Sequence, residues 1–423
     1  MQIPRPRILR LLAVVSGLFL ASASIALAAG KATVFLISLD GIRPDYIERV
    51  DTPFFDSMME TGAYSLQMSP AFPTVTFQSH VNIATGAKAA IHGVTMNSFY
   101  DTRTRSRTRM AGDQALLEAE PFWTTATRQG VRTLVLDWVK SHNQTGPYVT
   151  AYFGTSYTRG MRDEDRVERI LQTWEDDRHE QPLRFILAYA ESPDTEGHRY
   201  GPDAPETVAR LGELDTFMKS VRERVIALWE RDAGPDDVLY FIALSDHGMA
   251  ATEYHVDLRK GMEIDRRITV MTTSALTHFF FDQIEDRAEA AELKASIRKE
   301  LEAIEPITVF TRDELPAQWG YAHPYRTGDL IALLPGSHAF FRHDGDDVIQ
   351  ASRVTGRFFG AHGYDPRTEP TMMTVFFAQR FPEPLRRGNL GPIHASQIHA
   401  TVAALLGIEP SPQALPRPIP LLD

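Results

Sequence analysis

The apolar residues of this chain fall into short runs that alternate with longer amphipathic stretches. Four runs have the length and the β-branched or aliphatic composition of buried strands, at residues 34–39, 133–136, 185–189 and 238–244. Two of the stretches between them repeat apolar positions at helical spacing, at residues 163–174 and 206–229. This alternation predicts the α/β class, with helices covering both faces of a mostly parallel sheet.

Two segments depart from that alternation. Residues 262–345 are predicted to form a smaller α+β insertion between two halves of the core. Its expected elements are two strands, an amphipathic helix and a further strand, at residues 268–271, 277–281, 287–304 and 330–334. A second insertion, rich in Arg and Gln, is predicted at about residues 101–125.

The first 28 residues have the pattern of a signal peptide. Three arginines precede an apolar run at residues 11–20, and a small-x-small cleavage motif ends at Ala28. We therefore expect cleavage after residue 28 and export of residues 29–423 to the periplasm or the medium. The apolar run is short for a membrane span, so no stable membrane partner is expected after cleavage. A retained leader that anchors the chain is the alternative.

Charge and cysteine content narrow the chemistry. The formal net charge is −11, and the loss of the three leader arginines lowers it to −14. Such a charge argues against binding of a nucleic-acid polymer. The chain has no cysteine, which excludes disulfides and thiolate zinc sites. Any metal must therefore be held by side chains of His, Asp and Glu.

Acidic residues and histidines follow the predicted strands. Asp40 follows the first strand, Asp194 follows the third, and Asp246-His247 follows the fourth. Ligand sites in parallel sheets lie at the carboxyl ends of the strands, so these side chains are expected to meet. Each motif taken alone also fits a helix cap or an ordinary surface histidine.

Two further histidines complete a set of metal ligands. His198 lies four residues after Asp194, a spacing that allows both side chains to face one ion. His362 lies between Gly360 and Gly363, and glycines permit a close backbone approach. Three Asp and three His supply about the donors needed by two tetrahedral zinc sites, although manganese or iron can use the same ligands.

A candidate nucleophile precedes a predicted helix at residues 77–84. In the motif Pro73-Thr74-Val75-Thr76-Phe77, the hydroxyl of Thr76 stands at the helix N-terminus, where amide groups favour a phosphate. An N-cap role for Thr76 is the alternative, and Thr74 is the competing nucleophile.

Taken in order, these residues resemble the nucleotide pyrophosphatase/phosphodiesterase family of the alkaline phosphatase superfamily. The resemblance spans most of residues 29–423 and implies an alkaline-phosphatase-like catalytic domain. It is carried by Ser38-Leu39-Asp40-Gly41, Pro73-Thr74-Val75-Thr76-Phe77, Thr85-Gly86, His92-Gly93, Asn97, Pro193-Asp194-Thr195-Glu196-Gly197-His198-Arg199-Tyr200-Gly201-Pro202, Ser245-Asp246-His247-Gly248-Met249 and His362-Gly363-Tyr364-Asp365.

The resemblance implies a role for each of these groups. Thr76 would be the catalytic nucleophile beside two divalent metal ions, with zinc favoured. The ligands of one ion would be Asp194, His198 and His362. The ligands of the second ion would be Asp40, Asp246, His247 and the oxygen of Thr76.

The residues that would contact the substrate are less regular. The resemblance implies that Asn97 donates its amide to a phosphate oxygen, that Phe77 forms an apolar wall, and that Tyr157 stacks on a base; a core position is the alternative for Tyr157. Trp138 also matches a pocket aromatic of the family, but the Pro-Gly that usually follows it is replaced by Val139-Lys140. His80 is expected to be structural.

The expected function is an exported two-metal phosphodiesterase or nucleotide pyrophosphatase that forms a phosphothreonyl intermediate on a small phosphodiester or nucleotide. A phosphomonoesterase is the alternative. It would need an added cation for the extra phosphate charge, and Lys88 and Arg199 are the weak candidates. The absence of cysteine disfavours a sulfatase, and the complete ligand set disfavours a non-catalytic metal-binding protein.

Overall fold

A computed structural model of the protein describes residues 31–110, 112–415 and 417–421. The predicted signal peptide, residues 1–28, lies outside the described residues. The strands are, in chain order, β1 (Ala32–Leu39), β2 (Ala63–Ser69), β3 (Tyr100–Asp101), β4 (Ser106–Arg107), β5 (Thr133–Val135), β6 (Tyr152–Phe153), β7 (Phe185–Ala190), β8 (Val238–Leu244), β9 (Ala250–Ala251), β10 (Tyr254–Val256), β11 (Thr269–Thr272), β12 (Leu276–Phe280), β13 (Thr308–Thr311), β14 (Leu330–Leu333), β15 (His338–Phe340), β16 (Ile349–Ala351), β17 (Gly360–Ala361), β18 (Thr374–Phe381), β19 (Gly388–Asn389) and β20 (Ile393–His394).

The α-helices that the structure describes range from one turn to 28 residues. They are, in chain order, α1 (Tyr46–Arg49), α2 (Pro53–Thr61), α3 (Thr76–Thr85), α4 (Ala89–His92), α5 (Phe122–Arg128), α6 (Asp163–Asp176), α7 (Asp194–Tyr200), α8 (Pro205–Asp232), α9 (Arg287–Glu302), α10 (Ser352–Thr355) and α11 (Ile398–Leu406). None of them combines the length and the apolar character needed to cross a bilayer.

A central sheet organises the chain, with strand order β19-β2-β18-β8-β1-β7-β5-β6 and β20 also paired with β2. The strands from β8 to β6 run parallel, and β18 is antiparallel to both of its neighbours. The carboxyl ends of β1, β7 and β8 therefore meet at one edge of the sheet. The predicted mostly parallel sheet is confirmed.

Helices cover both faces of this sheet because its central strands are apolar on both sides. In β1, Phe35 and Ile37 pack beneath α2, α6 and α8. The alternate residues Val34 and Leu36 pack on the opposite face, with α3, α5 and α11. Burial of both faces explains why β1 appears in the sequence as a continuous apolar run rather than an alternating one.

A second sheet forms the predicted α+β part. Its order is β11-β12-β14-β13, with antiparallel pairing throughout. Phe279 of β12 packs with Ile297 and Leu301 of α9. The next residue, Phe280, faces the other way and packs with Phe72 and Met372 of the main body. Because successive side chains of a strand point to opposite faces, β12 packs against α9 on one side and against the main body on the other.

The predicted elements correspond closely to the observed ones, but two long strands were not predicted. β2 and β18 form the antiparallel side of the central sheet. β2 alternates buried and partly exposed positions and contains polar residues, so it lacks a continuous apolar run. The segment over residues 101–125 contains the end of a short β3–β4 hairpin and the start of α5, which packs against the main sheet.

The buried side chain of Arg326, in the loop before β14, forms hydrogen bonds with residues in and around β3. The guanidinium of Arg326 donates to Asp101 at 2.8 Å, to the carbonyl oxygens of Gly93 and Leu116 at 3.0 and 2.9 Å, and lies 2.9 Å from a carboxylate oxygen of Glu118. Burial alone would raise the pKa of Asp101, but hydrogen bonds from Arg103 and Arg326 hold that pKa well below its usual range.

We predict that Arg326→Ala lowers the free energy of unfolding by about 3–5 kcal/mol, because it removes a buried ion-pair partner of Asp101 and the donor to the oxygens of Gly93 and Leu116. Urea unfolding of both proteins measures this difference. The contribution of Asp101 is present above its unfolded-state pKa of about 4 and is lost as the pH falls, so the difference should shrink in acid. Arg353, which is exposed and forms no ion pair with described residues, supplies the control Arg353→Ala. Equal losses in the two variants would contradict the prediction.

Candidate active site

The ends of three neighbouring parallel strands bring the predicted ligands together. Asp40 follows β1, Asp194 begins α7 after β7, and Asp246 with His247 follows β8. His362 follows β17, which pairs with β9 directly after the β8 loop. All six predicted side chains, these five and His198, thus converge on one end of the sheet.

Three of the ligands form a first group with short mutual distances. His198 Nε2 lies 3.4 Å from Asp194 Oδ2 and 3.1 Å from His362 Nε2. His362 Nε2 lies 3.7 Å from Asp194 Oδ1. One cation placed among the side chains of Asp194, His198 and His362 could contact all three.

The other ligands form a second group around His247. Its Nε2 lies 3.3 Å from Asp40 Oδ1, 3.2 Å from Asp246 Oδ2 and 3.3 Å from Thr76 Oγ1. Ligand atoms of His247, Asp194 and His362 also lie within 4.8 Å of one another. His247 therefore stands between the two groups, on the side of Asp40 and Asp246 by its shorter contacts.

Backbone carbonyls fix the tautomer of all three histidines. Nδ1 of His198 donates to the oxygen of Gly360 at 2.8 Å, that of His247 to Gly248 at 2.9 Å, and that of His362 to Thr74 at 2.8 Å. Each Nε2 is then left with a lone pair, and the lone pairs of His198 and His362 face each other. Two acceptors at this distance repel each other unless a cation lies between them, and a fixed Nδ1 proton is the usual support for a metal-binding imidazole.

Burial and charge in the site also favour a cation. Burial lowers the pKa of His247 to about 4 and that of His362 to about 3, so both rings are neutral at pH 7. Burial, and then the negative charge of Asp246, raises the pKa of Asp40 well above its usual range. Oxygen atoms of Asp40, Asp194 and Asp246 are buried without a hydrogen-bond donor among the described residues. These unsatisfied acceptors fit divalent cations.

Thr76 is the first residue of α3, and its hydroxyl points at this cluster. Val75, the residue before the helix, offers no side-chain cap, so the first helical turn keeps amide groups free to face an anion. The hydroxyl of Thr74, in contrast, donates to the oxygen of Tyr364 at 2.9 Å and is fully buried. The geometry favours Thr76 over Thr74 as the reacting hydroxyl.

Asn97 lies beside Thr76 in the same cavity. Its side-chain oxygen accepts a hydrogen bond from the N–H of Phe77 at 2.9 Å, which turns the amide nitrogen toward other partners. The N–H of Phe77 is therefore already satisfied and does not add to an anion pocket, so Thr76 N–H is the amide that remains beside the hydroxyl.

The cavity at the cluster has a volume of about 830 Å³. Phe77 and Tyr157 both line it. The hydroxyl of Tyr157 donates to Glu191, and the guanidinium of Arg166 lies 4.2 Å from the ring centroid. Glu191 and Arg166 thus hold the ring of Tyr157 in the cavity wall, and a core position for Tyr157 is excluded by its 37% exposure.

The resemblance implied that the ring of Trp138 lines the substrate pocket, and this was wrong. Its ring is fully buried and packs edge-on against His80 and Phe122 in the core. His80 donates to the oxygen of Thr76 at 2.8 Å and lies 3.3 Å from Asp246, so it supports the site from behind. The loop after Trp138 instead brings Lys140 to the cavity.

Several residues at the site were not found from the sequence. The hydroxyl of Tyr189 donates to Asp40 Oδ2 at 2.6 Å. Arg109 and Arg159 line the cavity. The two cations considered from the sequence contact other groups: Nζ of Lys88 donates to the oxygen of Gln318, and Arg199 lies over the ring of Tyr200. Tyr189 ends a predicted strand, which is the one signal that could have pointed to it.

Residues 358–360 make three separate contacts with His198. The ring of Phe358 stacks on the imidazole at 4.9 Å and 15°, the N–H of Phe359 donates to the oxygen of His198 at 2.9 Å, and Gly360 accepts from its Nδ1. Phe358 has a φ of 60°, which is costly for a phenylalanine. A hydrogen bond from His255 to its carbonyl and a stack on Phe341 offset that cost.

Comparisons with known proteins identify the family of the chain. The sequence profile of the family described as type I phosphodiesterase / nucleotide pyrophosphatase matches residues 34–365. An uncharacterized pyrophosphatase/phosphodiesterase of Schizosaccharomyces pombe is 27% identical over 405 residues, 90% of this chain and 78% of that protein. The bis(5'-adenosyl)-triphosphatase ENPP4 of Bos taurus is 27% identical over 420 residues, 96% of this chain and 84% of that protein.

Among solved structures, murine ectonucleotide pyrophosphatase/phosphodiesterase 5, as an inactive variant in complex with AMP, superposes with a TM-score of 0.75. It is 23% identical, and the match covers 92% of this chain and 97% of that one, which supports the alkaline-phosphatase-like fold. The chain belongs to the type I phosphodiesterase/nucleotide pyrophosphatase family and is a hydrolase of phosphoric ester bonds.

Proposed function

We propose that the protein is an exported two-metal phosphodiesterase or nucleotide pyrophosphatase that uses Thr76 as its nucleophile. The observation that carries the proposal is the position of the Thr76 hydroxyl, 3.3 Å from His247 Nε2, whose ligand atom lies close to those of both Asp40 with Asp246 and Asp194 with His362. Export rests on the pattern of residues 1–28, and the mass of the exported chain tests it.

The two ligand groups are proposed to hold two divalent ions, with zinc favoured by the imidazole and carboxylate donors. When bound, such ions would neutralise phosphate charge and lower the pKa of the nucleophile hydroxyl. The first ion would be held by Asp194, His198 and His362. The second would be held by Asp40, Asp246, His247 and Thr76.

The reaction then follows from the positions of the side chains. Thr76 Oγ1 attacks phosphorus in line with the leaving oxygen and gives its proton to solvent, and a phosphothreonyl ester forms as the leaving oxygen departs and takes up a proton from solvent. The amide nitrogen of Asn97, turned outward by the N–H of Phe77, donates to a phosphate oxygen. Water then attacks phosphorus, breaks the bond to Thr76 and restores the hydroxyl.

The rings that line the cavity favour an organic group with a flat face. Phe77 adjoins the nucleophile, and Tyr157 is held in the wall by Glu191 and Arg166. A nucleobase in this cavity would gain stacking on an aromatic ring of its wall. The AMP bound to the related murine structure supports a nucleotide as the ligand.

A phosphomonoesterase is the second candidate, because two arginines do line the cavity. Arg109 and Arg159 are the added cations that such an enzyme would need. Relative turnover of bis-p-nitrophenyl phosphate and p-nitrophenyl phosphate separates the two functions. Faster diester turnover is the expected result, and faster monoester turnover would favour the second candidate.

Thr76→Ala is predicted to lower kcat on bis-p-nitrophenyl phosphate by roughly a thousand-fold or more, because it removes the attacking oxygen. Thr76→Ser is the matched control, since it keeps a hydroxyl at the same place and should retain measurable turnover. Acid quenching during turnover, followed by peptide mass analysis, should find the phosphoryl adduct on Thr76. Equal kcat values for the native protein and Thr76→Ala would refute the assignment.

Phe358→Ala is predicted to raise the zinc concentration needed for half-maximal reactivation of chelator-treated protein, by about 10- to 100-fold. The ring of Phe358 orients His198, so its loss should weaken one ion while kcat at saturating zinc largely recovers. Phe358→Tyr keeps the stacked ring and serves as the control. An unchanged zinc requirement in Phe358→Ala would show that the stack does not position the ligand.

A further inference from the structure

The cavity at the active site has a basic region as well as a metal-ligand region. Asp40, Asp194 and His198 lie in the part of its wall that belongs to the ligand cluster. Arg109 and Arg159 also line the cavity, and they come from two different loops, after β4 and before α6. Two separate loops thus each contribute an arginine to the wall of the same cavity.

Neither arginine is neutralised within the protein. Both side chains are exposed, and among the described residues neither has an ion pair or a hydrogen bond. Glu191, an acid in the wall of the same cavity, accepts from Tyr157 and Arg166. In a chain of net charge −11, two uncompensated guanidinium groups at one cavity form a local site for an anion.

A third basic residue, Lys140, lines the same cavity and lies beside the rings of Phe77 and Phe99. Lys140 is fully buried, and its ammonium nitrogen lies 5.1 Å from the ring centroid of Phe77 and 5.7 Å from that of Phe99. Burial lowers the pKa of Lys140 to about 7, so an anion nearby would favour its charged form. Lys140 therefore adds charge to this region when an anion is present.

Two of the three basic residues lie close to the aromatic residues of the cavity, one in sequence and one in space. Arg159 follows Tyr157 by two residues, and Lys140 contacts the ring of Phe77. The scissile phosphate, in contrast, would be met by the ligand cluster, Thr76 and Asn97. Arg159 and Lys140 are thus close to the side chains that are proposed to hold the organic group, which is the part of the substrate that stays on Thr76 after the leaving group departs.

We propose that Arg109 and Arg159 form a subsite for a second phosphate group, carried by the organic group that Phe77 and Tyr157 hold. The subsite rests on the proposed function for the position of the scissile phosphate. The substrate class that it names is a phosphodiester with a further phosphate monoester on its retained side, such as a nucleotide phosphorylated on the ribose. Planar guanidinium groups suit the several oxygens of such a phosphate.

Binding measured without turnover tests the subsite. Titration calorimetry on the zinc-loaded full chain carrying Thr76→Ala compares thymidine 5′-monophosphate, thymidine 3′,5′-bisphosphate and thymidine 5′-triphosphate. The bisphosphate is expected to bind about 10- to 100-fold more tightly than the monophosphate, as charge-assisted hydrogen bonds imply. Adding Arg109→Ala and Arg159→Ala should remove most of that preference and leave monophosphate binding within about two-fold.

Arg107 supplies the matched control. It lies on β4, is exposed, forms no ion pair with described residues, and does not line the cavity. Arg107→Ala in the same Thr76→Ala background should keep the preference for the bisphosphate. The preference should also weaken as salt rises, because the arginines are exposed.

Three results would overturn the proposal. The protein could bind the two thymidine ligands equally, the double variant could keep the preference, or the variant could lose affinity only for the triphosphate, which would assign the arginines to the leaving-group side. A failure of the proposed function is distinct, because it appears as unchanged turnover of bis-p-nitrophenyl phosphate by Thr76→Ala and does not alter these binding constants.

Discussion

The structure depends on one electrostatic constraint at the end of its central sheet. Three carboxylates and three imidazoles meet in a buried space, and each imidazole turns a lone pair inward because a backbone carbonyl holds its Nδ1 proton. Lone pairs and carboxylate oxygens at 3.1–3.7 Å repel one another in a low-dielectric interior. Divalent cations would relieve that repulsion, and hydrogen bonds to the surrounding backbone hold the three imidazoles in place.

The fold supplies this constraint through strand order. Parallel β1, β7 and β8 are neighbours, so the residues that follow them meet regardless of their separation in sequence. The loop between β17 and β18 then adds His362, and residues 358–360 hold His198 against it. The same end of the sheet receives α3, whose N-terminus presents Thr76. The proposed metal sites and the proposed nucleophile thus depend on one topological arrangement, and the loops that line the cavity are added around it.

The sequence predicts those parts of the molecule that depend on local pattern. The continuous apolar run of β8 is predicted at its observed bounds, because both faces of that strand are buried. Asp40 and Asp246 could be placed at the edge of the sheet because Asp40 directly follows such a run and Asp246 follows one after Ser245. β2 and β18 could not, since β2 is only half apolar and its pairing with β18 joins residues about 300 positions apart.

Long-range contacts account for the rest. The bond from Tyr189 to Asp40 spans 149 residues, and the stack of Phe358 on His198 leaves no local trace in the sequence. The resemblance placed the ring of Trp138 at the substrate pocket. The family's Pro-Gly after this residue is replaced here by Val139-Lys140, and the indole packs in the core. The arginines of the cavity come from loops, where composition alone does not show which way a side chain faces.

The position of the metal ions is the most direct test of this account. Anomalous diffraction at the zinc edge, from crystals of the zinc-loaded protein, locates each ion without reference to activity. The account predicts two peaks, one contacting Asp194, His198 and His362 and the other contacting Asp40, Asp246, His247 and Thr76. A single peak, or a peak that joins His247 to Asp194 and His362 and leaves His198 free, would contradict it.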